Sequence, residues 1–456
     1  MPLGAGPSIG ASGPVPNGVS GFVRRRHHVS ASAVWLSLLV SLSFVFHFFS
    51  AVFSPRFYVI ALGIAVVGYV FSKPVSLSRF AGCRILPLAL LAMGYSFWHS
   101  SRLTTAFADV LTLLLAATLA LFPTRVPEDY RNALKCIVVW GVFFAAGILL
   151  ASLARPLFNA SLSLFPAAFS GIVRNASGKY TCGFSTNPGF SAGYITCAIL
   201  ALASGIRGRF AFSWAKGLLF AILGLALLFT GKRGHVLFLS LSMALCYLLP
   251  LQGKKKLGRY WNLFLVILFG IVGFYMMAEA LSSIPFVGEA VRTVSGFLEG
   301  EDVSSGRNNL WRWAIELFRR HPWTGIGWGD YRTTVVGNAT LRDELDVHNI
   351  YLQLLCENGL LGFSVFVAVF ASFGFMTKKL YRFCLNSSDP VFSSLVPFLY
   401  FSLAYQLFFL LYGITGNTLY DQHCQIIYFI SCGMAVTCRT ACFGRAAFLR
   451  KQGVAP

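Results

Sequence analysis

Residues 347–363 read VHNIYLQLLCENGLLGF. From Ile350 the apolar run continues to residue 376, longer than the roughly 20 residues an α-helix needs to cross the hydrocarbon core of a bilayer. That length decides the fold class. A helix facing only lipid needs no imidazole, amide or carboxylate. Yet His348 and Asn349 stand at its head, Glu357 and Asn358 interrupt it, and Gly359 and Gly362 follow.

The rest of the chain agrees with a membrane fold. Of 456 residues, 56% are hydrophobic and 12% charged, with 44 Phe and a positive mean hydropathy. A soluble chain of this size cannot hide that much apolar surface. Twelve apolar runs are expected as spans: 32–53, 57–72, 85–98, 103–122, 136–154, 190–205, 217–230, 235–251, 262–280, 350–376, 391–413 and 422–438. The expectation is an all-α polytopic membrane protein of about 12 transmembrane helices, with both termini cytoplasmic.

The net charge of +21 would suggest a nucleic-acid partner in a soluble protein. With the N-terminus inside, 23 of the 37 basic residues fall on the cytoplasmic side. Membrane insertion requires that bias, so no nucleic acid is called for. The eleven cysteines form no CxxC, and the pattern indicates neither a disulfide framework nor a zinc site.

By segment, residues 1–30 are a basic, disordered tail, 31–280 carry spans one to nine, and 281–347 form a long outer loop. Residues 348–442 carry spans ten to twelve, and 443–456 a cytoplasmic tail. The apolar run after RRRHH is long and lacks a clear cleavage site, so it is read as a retained helix. Ten of the sixteen acidic residues fall between 279 and 346. Within the loop, NNLWRWAIELFRR (308–320) is amphipathic. Leu310, Trp311, Ala314, Leu317 and Phe318 share one stripe, Glu316 can pair with Arg320, and Pro322 ends the helix. Its tryptophans suggest that it lies at the membrane surface.

Three places carry candidate chemistry. GKRGH (231–235) sets Lys232 and Arg233 in a short outer loop, against the charge bias. A guanidinium beside glycines can meet an anion, or it can simply snorkel to headgroups. SSGRNNLW (304–311) puts Arg307 where the amphipathic helix begins, with Ser304 or Ser305 as cap, and a helix N-terminus with an Arg fork suits a phosphate. The third is the opening stretch. On one continuous helix, eleven residues make three turns. Gly359 would then lie below His348, Gly362 on the same narrow face for another helix to approach, and Glu357 opposite.

His-Asn, nine residues, then Gly-x-x-Gly after a long outer loop resembles the signature of the O-antigen ligase and O-antigen polymerase superfamily. SSGRNNLWRWAIELFRRHPWTGIGWGDYR (304–332) resembles that family's loop, with Ser-Gly-Arg before a helix and a His-Pro-x-x-Gly-x-Gly turn. GKRG matches the place of its earlier Arg, where Ser-Arg is more usual, and GFSTNPGFSAGY (183–194) resembles its glycine/asparagine segment.

The resemblance implies a glycosyltransferase whose donor is a glycan on a polyprenyl diphosphate and whose acceptor is a glycan, lipid or cell-surface hydroxyl. It implies metal-independent transfer with no cofactor, at a site on the periplasmic face of the inner membrane. His348, Arg233 and Arg307 are the expected catalytic residues, and Asn349, Lys232 and Asn187 the expected substrate-binding ones. Diphosphate is a good leaving group once its charge is met, so the protein must supply cations and a base. His348 is the expected base, and Asn349 orients it or holds a sugar hydroxyl. Ligation, polymerisation of repeat units and protein O-glycosylation would share such a site. The short tail is expected to disfavour protein acceptors, and the intact histidine motif leans to a ligase. A transporter would instead show similar halves and broken helices at mid-membrane.

Overall fold

A computed structural model describes residues 30–53, 55–72, 80–101, 103–176, 181–207, 214–248, 306–338 and 346–452, with the isolated positions 258, 261 and 288. The described residues form helices and connecting turns, with no strand among them. Ten helices precede the candidate site: α1 (Ala31–Val52), α2 (Pro55–Phe71), α3 (Ala81–Trp98), α4 (Leu103–Leu121), α5 (Asp129–Leu153), α6 (Arg155–Leu162), α7 (Ala167–Ala176), α8 (Pro188–Arg207), α9 (Trp214–Phe229) and α10 (Arg233–Leu248). Five follow: α11 (Arg307–Arg320), α12 (Asp330–Asn338), α13 (Ile350–Asn386), α14 (Pro390–Tyr412) and α15 (Gln422–Lys451).

Eleven of the twelve apolar runs read from sequence coincide with helices. The ninth, 262–280, lies outside the described residues, as do the N-terminal tail and the Ser304/Ser305 cap. Among the described residues, six helices (α3, α5, α8, α13, α14 and α15) are long and apolar enough to cross a membrane, and five more apolar helices are shorter. The chain is a multi-pass membrane protein.

The bundle is layered by burial. About three quarters of α8, α14 and α15 is enclosed by protein, against a third of α3 and α5. The first three are therefore central, and the others wrap them. Around them α5 runs along α8, α4 along α15, α10 along α14 and α3 along α13. Small residues set the closest approaches. A Cβ on Gly141 would collide with Ala198 of α8, and one on Gly433 would strike the backbone of Leu119 in α4. Without a strong hydrophobic drive between helices in lipid, such backbone proximity is how they gain contact. Outward faces carry Phe71, Leu91, Val139 and Phe375, all exposed, as lipid contact requires.

Helix α11 forms as its sequence suggests, with Glu316 paired to Arg320. Its N-cap is Gly306, in the left-handed region at φ 80°. The apolar stripe is covered by protein. Leu310, Ala314 and Leu317 pack on Tyr331, Val347 and Cys356, with Trp311 and Phe318 around them. That contact is made against α13.

Candidate active site

The 37-residue α13 is two helices joined at Gly359, whose φ of 60° and ψ of −173° are not helical. His348 precedes the helix, so the expected single helix with His348 above Gly359 does not form. The break frees backbone groups, and a buried free group must find a partner. The carbonyls of Cys356 and Glu357 accept from the N–H groups of Ile326 (2.9 Å) and Gly327 (3.1 Å), while Leu360 and Leu361 donate to Pro322 (2.8 Å) and Trp323 (3.3 Å). The partner is thus the turn 322–327, not another helix.

The glycines follow from that pairing. Gly359 lies so close to the turn that a Cβ there would overlap the backbone of Trp323. A Cβ on Gly325, itself at φ 75°, would overlap Glu357. Gly359 of the helix and Gly325 of the turn are the two halves of one latch.

Glu357 sits inside this latch, fully buried. Its carbonyl also accepts from Ser96 Oγ at 2.7 Å. Its carboxylate accepts from Tyr420 Oη at 2.8 Å and from Gln353 Nε2 at 3.2 Å. Tyr420 in turn stacks on Trp328 at 4.8 Å. This carboxylate ties the loop before α15 to the broken helix.

Above the latch, His348 is held at φ 55°, the one positive φ among the described non-glycine residues. Such a conformation persists only where its surroundings impose it. On one side, the Val347 carbonyl accepts from Trp311 Nε1 at 3.1 Å. On the other, Asn349 caps α13 by accepting from the Tyr351 and Leu352 N–H groups at 3.0 and 3.1 Å, while Ile350 donates to Gly413. Asp346 is gripped by Arg332 through Nε at 2.7 Å and Nη2 at 2.9 Å. Asp346 also accepts from Gln353 Nε2 at 3.2 Å and Asn417 Nδ2 at 3.0 Å. Asn417 Nδ2 lies 3.4 Å from His348 Nδ1.

Further out, Arg332 approaches Asp109 of α4 at 3.7 Å, and Gln422 Nε2 bonds the same carboxylate at 3.3 Å. Burial works against the Arg332 charge, but Asp346 and then Asp109 more than offset it, so its pKa is raised.

Three separated segments converge here. Burial first, then the Arg307 cation, lowers the His348 pKa. Asp346 opposes the shift and Lys232 adds to it. The imidazole is therefore neutral at pH 7. Of the neighbouring GKRG residues, Lys232, the departure from the usual motif, acts on His348. Arg233 opens α10 beside it. Lys232 also borders the 187–189 turn, since a Cβ on Gly189 would lie 3.9 Å from Lys232 Cε and 3.1 Å from Asn187 Oδ1. Asn187 closes that turn by accepting from the Gly189 N–H at 2.7 Å. Among the described residues, no group of three or more His, Cys, Asp or Glu is placed to hold a metal ion.

The O-antigen ligase family matches residues 218–367. That stretch contains Lys232, Arg233, Arg307, His348 and both halves of the latch. Over that stretch the chain is similar to O-antigen ligases. A curated O-antigen ligase of Pseudomonas aeruginosa is 25% identical over 269 residues, covering 56% of this chain. The match spans 60% of that relative's length.

The sequence marks out the cations and the histidine but not the residues that surround them. Asp346, Asn417, Arg332 and Gln353 emerge only from the fold, because their partners are distant in sequence. The one local sign was Asp346, two residues before His348.

Proposed function

We propose that this chain transfers a glycan from a polyprenyl diphosphate to an acceptor hydroxyl at the outer face of the inner membrane. The observation that carries the reading is His348, fixed between the Trp311–Val347 bond and the Asn349 cap and set beside Asn417, in electrostatic reach of Arg307 and Lys232 and within the stretch that matches O-antigen ligases. Arg307, Lys232 and Arg233 meet the diphosphate charge as it leaves, and His348 takes the proton of the attacking hydroxyl. Asn187 and Asn349 use their side-chain oxygens to hold their own backbone, and their amide N–H groups face sugar hydroxyls. The residues present supply both charge neutralisation and proton transfer, so the assignment calls on no metal.

Ligation is favoured over polymerisation because the matched relative is named an O-antigen ligase. Purified protein in proteoliposomes, given a polyprenyl-diphosphate oligosaccharide with and without a glycolipid acceptor, tests this. A single shifted acceptor band supports a ligase, and a ladder from donor alone supports a polymerase. Absence of transfer in both arms removes the reading.

A further inference from the structure

The surroundings of His348 distinguish its two nitrogens. Asp346 already accepts four hydrogen bonds, two of them from the Arg332 guanidinium. With four N–H groups directed at them, its two oxygens act as acceptors. It therefore fixes the Asn417 amide: Nδ2 must face Asp346, because the turned amide would set Oδ1 against a carboxylate oxygen. The same Nδ2 carries a second hydrogen, and His348 Nδ1 lies 3.4 Å from it. A nitrogen that receives an N–H is unprotonated, so the neutral ring carries its hydrogen on Nε2. The only lone pair able to take a proton is on the Asn417 side.

Two further observations mark that side as a place for hydroxyls. The contact to Nδ1 is at the long limit for a hydrogen bond, so a hydroxyl can displace it. Asn417 is 7% exposed, and its Oδ1 is buried with no hydrogen-bond partner among the described residues. Buried carbonyl oxygens are ordinarily paired, and a ligand hydroxyl would pair this one.

We infer that the acceptor sugar enters on the Asn417 side of His348, with the attacking hydroxyl on Nδ1 and the hydroxyl adjacent to it donating to Oδ1 of Asn417. The acceptor class is then a sugar with two neighbouring hydroxyls. This inference rests on the proposed glycan transfer. In the step, the hydroxyl O–H bond breaks and its proton goes to Nδ1. The oxygen forms a bond to the anomeric carbon, and the bond from that carbon to the diphosphate breaks, with the electron pair leaving on diphosphate. The imidazolium then returns its proton to water. Asp346 touches no substrate and acts by positioning Asn417.

The test uses full-length protein in proteoliposomes, the acceptor that is active in the reconstitution above, and its deoxy analogue lacking the neighbouring hydroxyl. Wild-type protein should show at least a tenfold higher KM for the deoxy acceptor with donor KM unchanged. Asn417→Ala should raise the KM of the full acceptor similarly and no longer distinguish the two. Equal KM values for both acceptors with wild-type protein would overturn the inference without any variant, as would an Asn417→Ala effect confined to donor KM. Absence of wild-type transfer to either acceptor would overturn the proposed function and this inference with it.

Discussion

The latch at Gly359 makes a prediction whose size can be worked out. In Gly359→Ala, the added Cβ meets the Trp323 backbone, which cannot rotate away as a side chain could. The backbone conformation at φ 60° and ψ −173° costs about 1–3 kcal/mol for a residue with a Cβ. Opening the latch relieves that strain, while the Leu360–Pro322 and Leu361–Trp323 hydrogen bonds are lost on opening in wild type and variant alike. The variant therefore opens more easily by about 1–3 kcal/mol, an effect directed at the latch rather than at the bundle. Cys356 is fully buried beside it, so maleimide labelling of the Cys356 peptide, followed by mass spectrometry, reads local opening. At about 1.4 kcal/mol per tenfold, labelling should rise by roughly fivefold to a hundredfold. Gly374→Ala, on the same helix with nothing within 4 Å of its Cβ, is the control and should label as wild type. Equal labelling of Cys356 in the two variants would refute the latch.

Three other outcomes are expected. Activity requiring neutral His348 should be lost as pH falls through its lowered pKa, so the acidic limb lies below the ordinary 6.5. Lys232→Gln removes a charge that depresses this pKa, and should move the limb to higher pH. A limb that stays in place or moves down argues against the proximity. Arg332→Ala leaves Asp346 and Asp109 without their shared cation, and should cost about 3 kcal/mol, seen as a lower apparent Tm and faster proteolysis near residue 346. By contrast, Glu316→Ala breaks only an exposed ion pair. It should change stability by less than about 1 kcal/mol, and a larger loss would mean that α11 depends on its surface.

Apolar length made the helices legible in the sequence, because a run that fills a bilayer needs no tertiary information. Eleven runs coincide with helices, including the short α9 and α10. The cations and His348 were legible because charge on a greasy chain is costly and therefore conspicuous. What failed was the geometry of one helix. Eleven residues at 3.6 per turn align His348 with Gly359 only if no break intervenes, and a glycine in the sequence does not say whether it bends or packs. Glu357 was conspicuous but inexplicable, since its partner Tyr420 is contributed by the loop before α15. Asn417 and Arg332 gave no local sign. Each becomes meaningful only where the chain returns to Asp346.

In the proposed reaction His348 takes the proton from the acceptor hydroxyl. Its most direct test is the transfer rate of His348→Ala against wild type, in proteoliposomes with saturating polyprenyl-diphosphate glycan and acceptor, after both proteins are shown to be monodisperse. Transfer should fall by roughly 10²–10⁴ with donor binding retained. Full transfer by His348→Ala would contradict it.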